Sequence, residues 1–439
     1  MSSKGKVYFH TLGCRVNQYE TDAARELFIS SGYQSTTDVF EADICVINTC
    51  TVTGEADRKS RQSLRSVARY KPDAVVVAMG CASEMADGVV DADIVLGTRD
   101  KKDIVKRVEE FILTREKDLK HSSSHSRPEL TKKDEYHDFG TIISPEGSRA
   151  FMKIQDGCNN FCTFCIIPFA RGRIASRSRE NIVEEARNLA ASGFKEIIVS
   201  GIEVCSYGAD RGEGIESLLA VLNDIASVEG IERIRLGSLE PSSLTPYFID
   251  GMGKIGKMCP HFHLSLQSGS DTVLKRMNRK YDTALYMEKV KLLRGQFPTM
   301  KLTTDIIVGF PGETDEEFNE TLEFVEKCGI DKVHVFPYSI RKGTKAAGMI
   351  QVDGLVKKQR GEILRNLSED RECMYAKSLV GKVREVLIEA KYEEHYSGYT
   401  EDYVQAIVYP EDGEELNIGS VVKVIAEDSM YAAVICKVL

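Results

Sequence analysis

Short runs of apolar and β-branched residues alternate with amphipathic segments over the first 100 residues. Four such runs occur: Lys6–His10, Asp43–Asn48, Ala74–Ala78 and Asp93–Leu96. Strands that are apolar throughout are buried on both faces, as in a parallel sheet whose crossover connections are helices. The sequence therefore predicts an N-terminal doubly wound α/β domain over residues 1–120.

A cysteine follows each of the first three predicted strands within a few residues: Cys14, Cys50 and Cys81. The carboxyl ends of parallel strands form one edge of a sheet, and ligand sites in such folds lie at that edge. We therefore expect these three thiols, the first trio, to converge and to bind a metal cluster. The alternative is three unrelated buried cysteines, since a free cysteine is often a small core residue.

A second trio of cysteines lies in the run Cys158-Asn-Asn-Phe-Cys162-Thr-Phe-Cys165. The spacing C-x₃-C-x₂-C lets one loop present three thiolates to one metal centre. Three ligands on a four-iron cluster leave one iron with an exchangeable position, which can bind and reduce a small molecule. Zinc is the alternative, but zinc sites are usually completed by a second Cys or His pair, and none follows here.

Strand-like and helical segments alternate again between residues 144 and 374. The strand candidates are Ala150–Ile154, Glu196–Ser200, Arg233–Gly237, Phe262–Leu266, Thr303–Val308 and Val333–Pro337. Six βα units predict a partial (β/α)6 TIM-type barrel, whose chemistry lies at the carboxyl ends of the strands. The second trio follows the first of these strands, as that rule requires.

The last segment, residues 375–439, changes to alternating apolar and polar residues separated by turn signals. This pattern predicts a small antiparallel β-barrel. Residues 121–143 begin with a Ser- and His-rich polar stretch, which indicates a linker between the first two domains.

The composition is that of an ordinary soluble protein and narrows the possible partners. Because the net charge is −9 over 439 residues, a nucleic-acid partner has to be held by local basic patches. No run of 18 apolar residues occurs, and the N-terminus lacks the long apolar segment of a signal peptide. We therefore expect a cytoplasmic protein, in which clustered cysteines bind metal more often than they form disulfides.

The second trio resembles the cluster loop of the radical S-adenosylmethionine enzymes. Two trios in this order, followed by a barrel similar to the OB-like, RNA-binding TRAM module, resemble one family among them, the methylthiotransferases. Three further segments carry the resemblance: Pro168–Arg177, which reads P-x-x-R-G-x-x-x-S-R, His263–Gly269 and Asp305–Thr314. Glu203 and Cys205 depart from the family pattern, which has His and a small residue at those places.

This resemblance implies two [4Fe–4S] clusters and S-adenosylmethionine as cofactors. The second trio would bind the cluster that cleaves S-adenosylmethionine to a 5′-deoxyadenosyl radical, and the first trio an auxiliary cluster that carries sulfide. One S-adenosylmethionine would methylate that sulfur, and the radical from a second would remove hydrogen from C2 of an adenine, which then takes the methylthio group. An electron donor and a sulfur source, both unidentified, are implied as well.

The substrate group is indicated by the loop Thr11–Thr21, which reads T-L-G-C-R-V-N-x-x-E. It resembles the methylthiotransferases that act on N6-threonylcarbamoyladenosine at position 37, in the anticodon loop of tRNA. Other members of the family act on isopentenyladenosine in tRNA or on an aspartate of a ribosomal protein. Both remain alternatives, as does a non-catalytic iron–sulfur protein that binds RNA.

Several other residues are candidates for binding the cofactor. Polar residues at strand ends can contact the ribose, amino or carboxylate groups of S-adenosylmethionine, and an aromatic residue before the last cysteine resembles the family's adenine contact. The candidates are Phe164, Gly201, Glu240, Gln267 and Asp305. Arg171 and Arg173 follow the cluster loop and are predicted to meet a carboxylate or phosphate, the alternative being a surface salt bridge.

RNA binding requires exposed positive charge, and one predicted helix supplies it. Arg58, Arg61, Arg65 and Arg69 recur at steps of three and four residues, so they share one face. An ordinary solvated face is the alternative. A second basic patch is Lys275–Lys280, and four tyrosines of the terminal barrel are candidates for stacking on unpaired bases: Tyr392, Tyr396, Tyr399 and Tyr403.

Overall fold

The structure is a computed structural model that describes residues 3–86, 90–115, 122–124, 134–143, 145–411 and 414–439. The chain forms two compact units. Unit 1 comprises Met1–Pro145, Lys153–Asn188 and Ser339–Ala347, and unit 2 comprises Glu146–Met152, Leu189–Tyr338 and Gly348–Leu439. Of the predicted linker, residues 121 and 125–133 lie outside the described residues. No described helix is both long and apolar enough to span a membrane.

Unit 1 begins with a six-stranded sheet and its helices. The elements are β1 Lys6–Thr11, α1 Arg15–Ser30, β2 Gln34–Thr36, β3 Ile44–Thr49, α2 Gly54–Tyr70, β4 Val75–Gly80, α3 Cys81–Glu84, β5 Ile94–Leu96, α4 Ile104–Arg115 and β6 Ser122–Ser124. The strand order is β2-β1-β3-β4-β5-β6, and all the pairings are parallel. The predicted doubly wound sheet is therefore confirmed, with β2 and β6 as additional short strands.

Both faces of this sheet are buried, which explains why its central strands are apolar throughout. Val46 of β3 lies in one apolar cluster with Phe28 of α1 and Val108 of α4. Its neighbour Cys45 points the other way, into a cluster with Leu64 of α2. Cys45 is thus a small core residue.

The chain then enters the segment that carries the second trio. Its elements are β7 Ala150–Asp156, α5 Ile167–Arg171, β8 Ala175–Ser176 and α6 Arg179–Ala191, of which β7 and α6 belong partly to each unit. β7 and β8 are antiparallel, with Asp156 opposite Ala175. The second trio therefore lies on the connection that leaves β7 at its carboxyl end.

Unit 2 continues the βα alternation. Its elements are β9 Glu196–Gly201, α7 Glu216–Ser227, β10 Arg233–Leu236, β11 Ser238–Leu239, α8 Pro246–Gly253, β12 His261–Leu264, α9 Asp271–Arg276, α10 Thr283–Gln296, β13 Lys301–Val308, α11 Asp315–Cys328, β14 Lys332–Pro337 and α12 Gly354–Ser378. β9 pairs with β10, and β11, β12, β13 and β14 pair in that order, all in parallel. Each strand predicted for the partial barrel is present.

Local signals set the ends of these helices. Thr314 begins α11 through a capping box with Glu317, and Gly329 ends it in the left-handed conformation at φ +67°. Asp282 begins α10 by accepting a hydrogen bond from the backbone N–H of Leu285.

The C-terminal segment forms a closed five-stranded barrel. Its strands are β15 Val383–Lys391, β16 Tyr396–Thr400, β17 Gln405–Tyr409, β18 Val421–Met430 and β19 Ala433–Val438, in the order β15-β16-β17-β19-β18. Inward residues such as Val408 and Val434 form its core together with Leu379 at the end of α12. Four neighbouring pairs are antiparallel, whereas β17 and β19 are parallel because β18 lies between them in sequence.

Candidate metal centres and substrate site

The first trio lies at one edge of the unit 1 sheet. Thr11 of β1 is opposite Asn48 of β3, and Asn48 is opposite Met79 of β4, so the three strands end at the same level. Cys14 then begins α1, and Cys81 is the first residue of α3. The three loops consequently leave the sheet side by side.

Close approach between these loops requires a glycine. Gly13 has φ +106°, and a Cβ at this position would lie 2.7 Å from Cβ and 2.8 Å from Sγ of Cys50. Burial, together with the smaller effect of the nearby thiols of Cys81 and Cys14, raises the pKa of the Cys50 thiol to about 12. The three thiols are near enough to influence each other's pKa, and binding of one cluster by the first trio stays a prediction.

The second trio lies on a tight loop stabilised by backbone hydrogen bonds. The N–H of Cys158 donates to the carbonyl of Gly172 at 3.1 Å, and the N–H of Cys165 donates to the carbonyl of Cys162 at 3.0 Å. Gly157 has φ +68°, and a Cβ there would overlap the carbonyl oxygen of Arg173. The residue before the first cysteine must therefore be glycine for the loop to fold in this way.

Arg171 connects the loops of the two trios. It lies at the end of α5, just after the second trio, yet its Nε donates to Sγ of Cys81 at 3.2 Å. Its Nη2 donates to Oδ1 of Asn17, three residues after Cys14, at 2.8 Å. Its Nη1 donates to Glu20 at 2.8 Å and to Asp156 at 3.1 Å. The alternative of a surface salt bridge is wrong because the side chain is buried, and its carboxylate partners are Glu20 and Asp156 of the protein itself.

Glu20 is the centre of this buried charge network. Burial by itself raises the pKa of Glu20, but Arg171, Lys101 and Lys153 together hold it well below its ordinary value. Lys101 and Lys153 both donate to its carboxylate. With Asp156, the network contains two carboxylates and three cations, so one positive charge is in excess beside Cys81. Burial raises the pKa of the Cys81 thiol, and the charges of Arg171 and Lys101 oppose that rise and so favour the thiolate that a metal cluster requires.

Of the predicted cofactor-binding residues of unit 2, Gly201, Glu240 and Gln267 lie at or just after strand ends, whereas the prediction is wrong for Asp305, which lies inside β13. The backbone N–H of Gln267 donates to the carbonyl of Asp305 at 2.9 Å, which brings these two residues together. Gln267 is held at φ +71°, a conformation that non-glycine residues rarely adopt. Gly201 ends β9, and the carboxylate of Glu240 accepts from Nη2 of Arg279 at 2.6 Å. Phe164 lies in unit 1, within the cluster loop.

The loop after β9 contains the two departures from the family pattern. Cys205 is buried, and burial strongly raises the pKa of its thiol. It is therefore a packed, protonated thiol rather than an exposed ligand. Glu203 is half-buried, at the start of the same short helical turn.

The four arginines of α2 form an exposed face, as their spacing predicts. Three of them pair with acids at the surface: Arg58 with Glu55, Arg61 with Asp57 and Arg65 with Asp91. Arg69 is exposed in the last turn. Together they line a groove of about 440 Å³ with Gln62, Ser66 and Tyr70. Surface pairs of this kind are weak, so the arginines remain available to phosphate groups.

The other two predicted RNA contacts need correction. Within Lys275–Lys280, the side chain of Arg279 is buried against Glu240, and Arg276 pairs with Glu317. Both guanidiniums therefore form ion pairs inside unit 2. Among the tyrosines, the stacking prediction is wrong for Tyr396, which is 3% exposed in the barrel core.

Two more tyrosines of the barrel are engaged within unit 2. Tyr399 and Tyr403 stack on each other with ring centroids 4.8 Å apart. The guanidinium of Arg149 lies 4.8 and 5.0 Å from the two centroids. Tyr392 is exposed, and its ring stacks on that of His395. Of the four predicted rings, Tyr392 is thus the best placed to meet a base.

Comparisons with known proteins identify both halves of this arrangement. Residues 152–325 match the model of the Radical SAM superfamily, and residues 6–96 match that of Uncharacterized protein family UPF0004. The threonylcarbamoyladenosine tRNA methylthiotransferase MtaB of Bacillus subtilis is 39% identical over 95% of this chain and 93% of its own length. The chain belongs to the radical S-adenosylmethionine methylthiotransferases.

Other relatives show the breadth of the methylthiotransferase family. The MtaB protein of Thermotoga maritima is 37% identical over 91% of this chain and 90% of its own. A tRNA-2-methylthio-N(6)-dimethylallyladenosine synthase of Syntrophus aciditrophicus is 35% identical over 88% of this chain and 84% of its own. The sequence identity of this chain to the two substrate groups therefore differs by only a few per cent, and identity by itself does not distinguish them.

Solved structures support the fold at much lower identity. The radical S-adenosylmethionine methyltransferase TsrM from Kitasatospora setae, with tryptophan substrate and a S-adenosylmethionine analog bound, has a TM-score of 0.56. The match between the two structures covers 78% of this chain and 75% of the TsrM chain, at 15% sequence identity. This likeness shows a shared fold.

Family membership confirms that the cofactors are S-adenosylmethionine and [4Fe–4S] clusters. Among the described residues, no three Cys, His, Asp or Glu side chains are close enough to hold a single metal ion. A four-iron cube binds each thiolate to a different iron, so its cysteines lie further apart than the ligands of one ion. Three converging thiols beside a buried excess of positive charge fit such a cluster at the first trio.

Sequence reasoning assigned no role of their own to two residues of the Thr11–Thr21 loop that organise the site, Asn17 and Glu20. Asn17 donates to the carbonyls of Leu12 at 2.7 Å and Thr49 at 3.1 Å, and so fixes the loops of the first trio. Glu20 gathers the buried cations. Both are buried in the first turns of α1, and the signal for them was their place in the motif T-L-G-C-R-V-N-x-x-E.

Proposed function

We propose that this enzyme methylthiolates C2 of N6-threonylcarbamoyladenosine at position 37 of tRNA. When bound, S-adenosylmethionine and two [4Fe–4S] clusters supply the radical, the methyl group and the sulfur. The observation that carries the proposal is the contact of Arg171 with Cys81, which connects the loops of both trios inside one unit. Radical transfer requires near-contact alignment, and a shared buried side chain helps to fix that alignment.

Each trio has its own task in this proposal. The second trio binds the cluster that cleaves S-adenosylmethionine, while Phe164, Gly201, Glu240, Gln267 and Asp305 contact that cofactor. The first trio binds the auxiliary cluster beside the position of the adenine. Arg171, Lys101 and Lys153, which all pair with Glu20, supply fixed positive charge near the first trio.

The arginine face of α2 would bind the phosphate backbone of the anticodon arm. It begins four residues beyond Cys50, so a phosphate contact there lies close in sequence to the first trio. Contacts of this kind position the RNA and carry no base specificity. Specificity for the modified adenine has to come from groups nearer the cysteines.

A dimethylallyladenosine substrate is the second candidate, since such synthases are 35–37% identical to this chain. The loop Thr11–Thr21 favours the threonylcarbamoyl substrate. The two modifications differ in chemistry: one carries a carboxylate, and the other is wholly apolar. A cationic substrate pocket therefore favours the first, and an apolar pocket would favour the second.

Mass spectrometry of nucleosides from digested tRNA tests the proposal. Deletion of the gene should remove 2-methylthio-N6-threonylcarbamoyladenosine and leave N6-threonylcarbamoyladenosine in its place. Loss of the methylthio group from dimethylallyladenosine would assign the second candidate. Unchanged tRNA, with loss of a modified aspartate in a ribosomal protein, would contradict both.

The reaction also requires an electron donor and a source of sulfur. A low-potential electron carrier and a sulfide or persulfide donor are the chemical classes that fit. Together with reduced cysteines and a tRNA substrate, these requirements favour the cytoplasm as the compartment.

A further inference from the structure

Four parallel strands of unit 2 begin with a charged or titratable side chain that is buried. These residues are Glu196 in β9, Arg233 in β10, His261 in β12 and Lys301 in β13. A buried charge is costly unless it is paired and hydrogen-bonded. The amino ends of these strands therefore need polar partners.

The terminal barrel, β15 to β19, supplies some of these partners through the turn that connects β16 and β17. Arg233 and Arg235 share the carboxylate of Glu196, at 3.0 and 2.8 Å. Nη2 of Arg233 donates to the carbonyl of Thr400 at 2.7 Å. Nη1 of Arg235 donates to the carbonyl of Glu401 at 3.1 Å. Because the acceptors are backbone atoms, this contact depends on the path of the turn.

Tyr403 lies in the same turn and packs among the cations. The guanidinium carbons of Arg235 and Arg149 lie 4.6 and 5.0 Å from the centroid of its ring, and the ring centroid of His261 is 4.9 Å away. Its carbonyl accepts from Nζ of Lys301 at 3.4 Å. Tyr403 is held at φ +65°, a conformation that bulky residues keep only where their surroundings determine it.

These contacts lie at the opposite end of the strands from the predicted cofactor-binding residues. Glu196 begins β9, whereas Gly201 ends it. His261 begins β12, whereas Gln267 lies three residues beyond its last residue. A substitution at Tyr403 should therefore leave the cofactor-binding residues in place, while it loosens the terminal barrel.

We propose that Tyr403 is a positioning residue, which fixes the terminal barrel on these strands so that bound tRNA is presented in one position. The inference rests on the proposed function and deepens it, because it assigns the residue that aligns the RNA with the radical. Exposed Tyr392, the candidate base contact, belongs to the same barrel. Removal of hydrogen from the adenine requires near-contact alignment, so a barrel that moves on the strands loses this alignment even while it binds RNA.

The ratio of the two products tests this assignment on the anaerobically reconstituted enzyme. A radical that does not meet its adenine takes a hydrogen atom from another donor, such as the reductant, so 5′-deoxyadenosine forms without methylthiolation. We expect Tyr403→Leu to raise the ratio of 5′-deoxyadenosine to methylthiolated tRNA about tenfold, since a small misplacement of reacting groups is costly. Tyr403→Phe keeps the ring and should keep the wild-type ratio.

Tyr396→Leu is the matched control, because Tyr396 packs in the core of the same barrel. It should lower the midpoint of thermal unfolding and leave the product ratio unchanged. A partly unfolded enzyme loses both products in the same proportion, so a loss of stability alone does not change their ratio.

Hydrogen–deuterium exchange of the same reconstituted enzymes gives a readout that does not depend on activity. The peptides that cover the amino ends of β10 and β13 pack against the turn of Tyr403 through Arg233, Arg235 and Lys301. They should exchange faster in Tyr403→Leu than in the wild type. In Tyr403→Phe and Tyr396→Leu they should exchange at the wild-type rate.

Three results would overturn the assignment. The ratio could be unchanged in Tyr403→Leu, it could rise without faster exchange, or it could rise equally in Tyr396→Leu, which would assign the effect to barrel stability. Nucleoside analysis of tRNA from the deletion strain is independent of these measurements. Loss of the methylthio nucleoside there, combined with an unchanged ratio in Tyr403→Leu, would reject this inference and retain the proposed function.

Discussion

The Nε atom of Arg171 lies 3.2 Å from Sγ of Cys81, although the two residues are 90 positions apart in the chain. Arg171 belongs to the segment of the second trio, and Cys81 is a member of the first. The same guanidinium also binds Glu20 and Asp156, so the side chain is oriented by fixed charges. Any change at Arg171 should therefore affect stability and the first trio at the same time.

Arg171→Gln should lower stability and alter the auxiliary cluster. Removing one partner of a buried ion pair costs about 3–5 kcal/mol, and the variant also loses the N–H donor to the sulfur of Cys81. We expect a lower midpoint of thermal unfolding and an altered electron paramagnetic resonance spectrum of the auxiliary cluster.

Arg177→Gln separates these two effects. Arg177 is equally buried in unit 1 and pairs with Glu185 at 2.9 Å and Asp138 at 3.0 Å. It should destabilise the fold to a similar extent and leave the spectrum of the auxiliary cluster unchanged. Equal spectral changes in both variants would show that the contact with Cys81 has no specific effect.

Substitution of each cysteine trio should remove a different half of the chemistry. Replacing the second trio with alanine should abolish the formation of 5′-deoxyadenosine from S-adenosylmethionine. Replacing the first trio should retain that cleavage and stop the transfer of the methylthio group. Chromatography of the products and iron analysis are the measurements, and iron should fall from about eight atoms to about four in each variant. Complete loss of iron in either variant would contradict independent clusters.

Gly13→Ala should prevent the first trio from assembling. The new Cβ would lie 2.7 Å from Cβ of Cys50, closer than such atoms approach, and φ is +106°. We expect about four iron atoms in place of about eight, with cleavage of S-adenosylmethionine retained.

Gly140→Ala is the control for backbone strain alone. Gly140 has φ +88°, and no described atom lies within 4 Å of the position of its Cβ. This variant should lose about 1–2 kcal/mol of stability and keep both clusters. If the two alanine variants contain the same amount of iron, close packing at Cys50 does not matter.

Glu196 should make unit 2 sensitive to acid. Burial by itself raises the pKa of this carboxyl, but Arg235 and Arg233 lower it to about 2, from an ordinary value of 4.5. Because the pKa is lower in the folded protein than in the unfolded chain, the charged carboxylate stabilises the fold at pH values above 4.5. This stabilisation is lost as the pH falls from 4.5 towards 2.

Urea unfolding of wild type and Glu196→Gln at a series of pH values tests this prediction. At neutral pH the wild type should be more stable by about 3 kcal/mol, and the difference should narrow below about pH 4. A difference that is independent of pH would mean that the charge of Glu196 is not what stabilises this site.

Arg69→Gln should weaken tRNA binding without changing its base specificity. One phosphate contact contributes about one unit to the slope of log affinity against log salt concentration. Titrations of tRNA at several salt concentrations should therefore give a slope smaller by about one. An unchanged slope would mean that Arg69 does not contact phosphate and that the arginine face is an ordinary solvated face, which is the alternative given in the sequence analysis.

The fold could be predicted largely from the sequence because its signals are local. Apolar runs such as Ala74–Ala78 specify buried strands, and their carboxyl ends specify one edge, so the first trio was predictable. The contacts of Arg171 with Cys81, Asn17 and Glu20 were not predictable, because these partners lie 90 or more residues away in sequence. The same holds for Tyr399 and Tyr403, whose pattern in the barrel is that of exposed rings but whose faces are covered by Arg149.

The path of the chain limits how the protein can be dissected. The chain changes unit five times, and both Lys153 and Arg171 return to unit 1 after a first visit to unit 2. A fragment that stops at Pro145 would keep Glu20 and Cys81 but lose two of the three cations that neutralise Glu20. Expression of the N-terminal part by itself should therefore yield an insoluble or misfolded product. Truncated variants that are meant to stay functional have to be shortened from the C-terminal barrel instead.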